Sequence, residues 1–206
     1  MQPDRMTAFE DAFNLYKIPV SHETLEKFCV YERLLLKWQK AINLVGPTTL
    51  DDVIVRHFVD SAQLFQYIPK ETKRLADLGS GAGFPGVILA IMGVSDVHVI
   101  ESDVRKATFM REVSRETKTA LTIHDKRIED TKIENVDVIT ARAFSSLKNI
   151  VKFASELKAP DHACMGLFLK GENYQQEIDT LPPGQFALET YPSVTEENAR
   201  IVKFSL

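Results

Sequence analysis

One carboxylate and three alternating glycines carry the clearest chemistry in the chain. They lie in Asp77-Leu-Gly79-Ser-Gly81-Ala-Gly83, with Phe84-Pro85-Gly86 following. Glycine lets the main chain take φ > 0 and lets a ligand lie against the backbone. Three glycines in five residues exceed what a single turn needs. Gly81 to Gly86 also fits G-x-G-x-x-G, the pattern of dinucleotide sites. The carboxylate ahead of it points elsewhere: it would repel a pyrophosphate and attract a cation. S-adenosyl-L-methionine carries a sulfonium and an ammonium and has no phosphate, so the stretch favours that cofactor over a nicotinamide or flavin. Glu101 stands twenty residues after Gly81. An acid at such a strand end accepts hydrogen bonds from both ribose hydroxyls.

Other candidates are spread along the chain. Arg142 and Lys170 each follow an apolar strand-like run, where ligands of open α/β sheets collect. As lone cations, both could equally be plain surface charges. Arg127-Ile128-Glu129 follows a third strand, in a loop that would present backbone groups to an adenine. His57 and Asp60 are three apart on an amphipathic stretch and could bond each other. No second histidine stands four residues from His57, so a metal is not expected there. The two cysteines, Cys29 and Cys164, form no C-x-x-C. Ala141-Arg142-Ala143-Phe144 lacks the Asn-Pro-Pro-Tyr type of motif used on exocyclic amines. By elimination, the transfer is one of positioning, to an atom that loses no proton on attack.

These residues need a scaffold, and the pattern around them predicts one. Residues 1–70 read as a helical extension. Phe9, Ala12, Phe13 and Tyr16 recur at helical spacing before Pro19. Ser21 is placed to cap a long helix from His22 to Ile42. Arg33, Lys37 and Lys40 share a face of that helix, solvated or in contact with phosphate. Trp38 reads as core. Asn43 to Thr49 is a loop by its Gly-Pro pair. Residues 71–206 alternate strand and helix, the pattern of a parallel sheet covered on both faces. Strands are expected at Leu75–Leu78, Val97–Ile100, Ala120–Ile123, Val136–Thr140 and Ala163–Leu169. Helices are expected after Pro85, at Asp103–Thr117, at Leu147–Leu157 and at Glu172–Asp179. Two last strands, Phe186–Tyr191 and Arg200–Ser205, have only a short turn between them and must be antiparallel. A mostly parallel Rossmann-like sheet closed by an antiparallel hairpin is the class I methyltransferase arrangement. It is not the all-parallel dinucleotide fold.

Composition sets outer bounds. The 206 residues are 44% hydrophobic and 26% charged, enough for one full core. Net charge is −4, which disfavours a protein that coats nucleic acid by bulk charge. A partner RNA would have to be recognised at one place. The start lacks an apolar leader and no run reaches membrane-span length; two distant cysteines without a C-x-x-C make a reducing cytoplasm the expectation. Oligomeric state is not legible; a monomer is favoured.

Taken together, Asp77 to Gly86, Arg56-His57-Phe58-Val59-Asp60-Ser61, Asn43-Leu44, Arg127 to Glu129, Arg142 to Phe144 and Leu169-Lys170-Gly171 resemble the bacterial 16S rRNA guanine-N7 methyltransferases, the RsmG or GidB family. The match runs in order over nearly the whole chain. The resemblance implies methylation of a guanine N7 in the 530 loop of 16S rRNA, within the small ribosomal subunit. It implies cofactor contacts at Gly79, Phe84, Ile128, Glu129 and Arg142. It also implies substrate-side roles for Arg127, Asn43, His57, Lys170 and Arg200, with Arg142 and Arg127 the catalytic candidates. Three alternatives stay open on the residues alone: a methyltransferase of a small molecule or protein, an NAD-dependent oxidoreductase, and a module that binds adenosylmethionine without turnover.

Overall fold

The computed structural model describes residues 4–157, 162–182 and 186–205. Met1–Pro3, the head of the segment judged to lack a leader, and Leu206 lie outside the described residues. Two helices come first, α1 (Arg5–Leu15) and α2 (His22–Trp38). The Ser21 hydroxyl accepts the Thr24 N–H at 3.1 Å, which satisfies one orphan donor at the α2 start. The helix ends at Trp38, short of the expected Ile42. The Gln39 side chain explains the stop. Its Oε1 accepts from Leu44 N and Val45 N, and its Nε2 donates to Val45 O at 2.9 Å. The amide thus holds the following loop and competes with helix continuation.

Residues 54–67 form one rod of changing winding. It is a π-helix over Ile54–Val59, α-helical at α3 (Asp60–Ala62) and 3₁₀ over Gln63–Tyr67. Seven strands follow with helices between them: β1 (Leu75–Leu78), α4 (Gly86–Ile91), β2 (Val97–Ile100), α5 (Val104–Thr117), β3 (Thr122–His124), β4 (Val138–Arg142), α6 (Leu147–Leu157), β5 (Met165–Lys170), α7 (Tyr174–Asp179), β6 (Ala187–Pro192) and β7 (Arg200–Ser205). The sheet order is β3-β2-β1-β4-β5-β7-β6. β1 to β5 run parallel, and β7 is antiparallel to both β5 and β6. The expected closing hairpin is therefore present.

Four strands, β3 to β6, begin later than expected, and the shift at β4 matters for the site. The Asp137 carboxylate accepts Lys73 N at 2.7 Å and Arg74 N at 2.9 Å. The Asp137 side chain thus clamps the entry to β1, and β4 runs from Val138 on to Arg142. Arg142 is thereby a strand residue rather than a loop residue.

Alternate residues of each strand face opposite layers. Leu75, Val138, Leu167 and Ile201 join one core with Phe9, Phe28, Phe58, Val87 and Phe109. Their neighbours Ala76, Ile139, Phe168 and Val202 join a second core with Leu147, Ile150 and Ala154 of α6. The N-terminal helices thus share a core with α4, α5 and one face of the sheet. Among the described residues no helix is long and apolar enough to cross a membrane.

Candidate functional site

Chain order reverses between β1 and β4, which are neighbours in the sheet. Ligands of open α/β sheets bind outside the strand ends at such a switch point. Two cavities lie there. One, of about 390 Å³, is walled by Gly79, Ser80, Gly81, Ala82 and Phe84 from the glycine turn, by Glu101 and Ser102 after β2, and by Arg127, Ile128 and Glu129 after β3. The other, of about 590 Å³, is walled by Arg56, His57 and Asp60, by Lys170 and Gly171 after β5, by Glu177, and by Ser193, Thr195 and Glu196 from the β6–β7 turn. Arg142, Ala143 and Phe144 line both.

The glycine turn has the backbone it was expected to need. Gly79 sits at φ +62 and Gly81 at φ +58, in the left-handed region that side chains disfavour. A Cβ on Gly79 would come 2.0 Å from the Phe144 ring. Glu101 Oε2 accepts Gly81 N at 2.9 Å and Oε1 accepts Asp103 N at 2.8 Å. A carboxylate offers about four lone-pair sites, so capacity for two ribose hydroxyls remains.

Asp77 is placed differently from its sequence reading. It is fully buried behind the turn and does not wall the cavity. Its Oδ1 accepts the Thr140 hydroxyl at 2.7 Å, across the β1–β4 register that pairs these two residues. Its Oδ2 accepts Gly86 N at 3.1 Å, which ties the strand end to α4. Burial pushes its carboxyl up to about 6, against the pull of the hydroxyl and N–H donors and of Arg142. Asp77 therefore braces the turn, and its charge acts on the cavity from behind.

Arg142 is the hub of the site. Its Nη2 donates to His57 Nδ1 at 2.8 Å, and its Nη1 donates to Arg56 O at 3.0 Å and faces Asp60 Oδ2 at 3.4 Å. The guanidinium carbon lies 5.0 Å from the Phe84 ring centroid. The predicted His57–Asp60 bond is replaced by this arrangement, in which each residue reaches Arg142 instead. The π-winding of residues 54–59 offsets the two side chains from ordinary helical spacing, and such turns recur at functional sites. Arginine can only donate, so His57 Nδ1 is the acceptor and Nε2 carries the proton. Nε2–H then donates to Thr49 Oγ1 at 2.7 Å, and that hydroxyl donates to Gly46 O. Burial, then Arg142 and Arg56, lower the His57 pKa to about 3. His57 is a neutral positioning group at physiological pH.

Lys170 is buried, not a surface charge. Its Nζ donates to Ser145 O at 2.7 Å and to Glu177 Oε2 at 2.8 Å. Arg127 walls the first cavity, apart from Lys170. Asn43 and Arg200 stand outside both walls, although Leu44 lines the first and Ala199 the second. Arg200 lies over the Tyr174 ring at 5.4 Å and donates to Glu197 O and Ala199 O.

Several contributors had no sequence signal. Tyr31 donates its hydroxyl to Ala82 O in the glycine turn and stacks on Phe84 with ring centroids 5.2 Å apart. The β6–β7 turn is clamped to the mixed rod: Thr195 Oγ1 donates to Asp60 Oδ1 at 2.7 Å, and Val194 N donates to Gln63 Oε1 at 2.9 Å. Glu177 arrives from α7. Asp60, by contrast, was singled out in the sequence by its place three residues after His57.

A 3-2-1-4-5-7-6 sheet with a glycine turn after β1 and an acid after β2 defines a class I adenosylmethionine-dependent methyltransferase. The fold agrees with solved structures at low identity. A methyltransferase from Geobacter sulfurreducens has a TM-score of 0.62 at 11% identity, covering 98% of this chain and 97% of that one. Magnesium protoporphyrin IX methyltransferase from Synechocystis PCC 6803, solved with bound SAM, has a TM-score of 0.61 at 13% identity, with 98% and 97% covered. Residues 24–198 match the GidB family model, described as rRNA small subunit methyltransferase G, and the chain belongs to that family. Among its relatives, the ribosomal RNA small subunit methyltransferase G of Rhodospirillum centenum is 45% identical over 202 residues, covering 98% of this chain and 90% of that protein. The one from Paramagnetospirillum magneticum is 50% identical over 164 residues, covering 80% and 79%. The cofactor is S-adenosyl-L-methionine, and the glycine cradle and Glu101 fit it.

Proposed function

We infer that this protein transfers the methyl group of S-adenosyl-L-methionine to N7 of a guanine in the 530 loop of 16S rRNA, in the cytoplasm, with the small ribosomal subunit or its precursor as partner. The observation that carries this reading is the junction of the two cavities. Arg142, Ala143 and Phe144 stand there, and none of them takes a proton at neutral pH. The neighbouring His57 has both ring nitrogens engaged and a pKa near 3, so it is no base either. That suits an acceptor with a free in-plane lone pair. Attack by N7 forms the N–CH₃ bond as the S–CH₃ bond breaks, and no proton leaves. The bound donor supplies an electrophilic methyl group on a sulfonium.

The chain's own residues bind and orient. Gly79, Gly81 and Phe84 shape the donor wall, Glu101 takes the ribose, and Ile128 and Glu129 border the adenine end. Gly83 and Asp77 hold the turn. Arg142 aligns the two cavities. The methylated base gains a positive charge, and the second cavity that receives it is charge-balanced: Asp60, Glu177 and Glu196 face Arg142, Lys170 and Arg56 there. Lys170 holds Glu177 in place, while Arg127 in the first wall, with Asn43 and Arg200 beyond the walls, contacts the RNA. The shared core supports one compact unit, a helical segment (1–70) joined to the methyltransferase domain (71–206), acting as a monomer.

Mapping N7-methylated guanines in rRNA from cells with and without the protein tests this. We expect one guanine of the 530 loop to lose its methyl group in the deleted strain, with return on complementation. Identical patterns in both strains would overturn the reading and leave a small molecule or protein as acceptor.

A further inference from the structure

We propose that Phe144 is the platform on which the acceptor base lies, face against ring. This rests on the guanine-N7 reading above and assigns the residue that sets the plane of the base. N7 lies in the plane of its ring, so in-line attack requires the donor methyl to meet the edge of the base, not its face. The base must therefore be held by its faces, and an aromatic side chain at the border of the two cavities does that.

Phe144 has the features such a platform needs. It lines both cavities, so a base lying on it reaches the donor side with one edge. It is 37% exposed, although phenylalanine is a residue type most often buried. Its ring is seated from below. It rests on Gly79 so closely that a Cβ there would lie 2.0 Å away, and Phe153 braces it with ring centroids 6.2 Å apart. Ala143 immediately before it has φ +47, a conformation that costs a non-glycine residue energy and that clusters at functional sites. That backbone turns Phe144 off the end of β4 and toward the junction. Stacking is blind to base identity because every base has a π-face. Phe144 thus supplies affinity and plane, while the polar groups of the second cavity are left to choose the guanine.

The test measures methyl transfer to small subunits purified from cells lacking the protein, with Kd for S-adenosylhomocysteine and a thermal melt on the same samples. Variants are Phe144→Tyr and Phe144→Leu, with Phe144→Met in place of the leucine variant should that one not fold. We expect Phe144→Leu to raise KM for the subunit on the order of 5- to 150-fold, the range seen on loss of a base–aromatic stack. We expect its cofactor Kd to change far less than that KM, and Phe144→Tyr to behave as wild type. An unchanged KM in Phe144→Leu overturns the platform, as does a loss confined to cofactor affinity, which would make Phe144 part of the donor wall. A tyrosine variant as impaired as leucine overturns it too. Wild-type protein that transfers no methyl group to the subunit instead removes the acceptor reading itself, which separates the two failures.

Discussion

Arg142 shows how much one side chain can organise. Its planar fork spans His57, the Arg56 carbonyl and Asp60 while its face lies on Phe84. Lysine keeps the charge but has neither the plane nor the fork. Arg142→Lys should therefore lose methyl transfer by at least about 10-fold, since misalignment of even an ångström costs on the order of 100-fold. The measurement is kcat/KM with purified small subunits; retained turnover would show that charge alone suffices there. The residue was legible in the sequence because it closes an apolar strand. Its partners were not. His57 and Asp60 looked like partners of each other, and only folding carried Arg142 between them.

At the scale of elements, α2 and the mixed rod of residues 54–67 build the site from one side and the sheet from the other. Tyr31 is the join. Its ring lies under Phe84 and its hydroxyl holds Ala82 O, midway along the glycine turn. Tyr31→Phe leaves a buried carbonyl without that donor, a cost of about 1–3 kcal/mol. We expect a lower urea midpoint together with weaker S-adenosylhomocysteine binding by titration calorimetry. A stability loss with unchanged affinity would reduce Tyr31 to a packing residue. The sequence marked Tyr31 only as part of a helical stretch, because a hydroxyl inside an apolar face carries no period of its own. Strand identities were legible from short apolar runs, but strand ends were not. β4 lies two residues further along than its apolar run, which puts Arg142 at its end, and Asp137 just ahead of it clamps the entry to β1.

Across the whole molecule, two buried groups give opposing pH dependences. The His57 pKa falls from 6.5 to about 3 on folding, so its contribution is full above 6.5 and is lost as pH drops through the window below. The Asp77 pKa rises from 3.8 to about 6, so its contribution is full below 3.8 and is lost as pH climbs through 6. The difference in melting temperature between Asp77→Asn and wild type should therefore rise from pH 4 to pH 7. The same difference for His57→Asn should fall over that range. Differences flat with pH would contradict both placements. The sequence by itself determined the sheet, its closing hairpin, the glycine turn and the acid after β2, because these rest on local spacing and backbone freedom that the chain carries wherever it goes. Only the tertiary structure decided which cavity each charged side chain enters. Burial, register and reach across 135 residues, the separation of Thr195 from Asp60, are properties of the packed molecule.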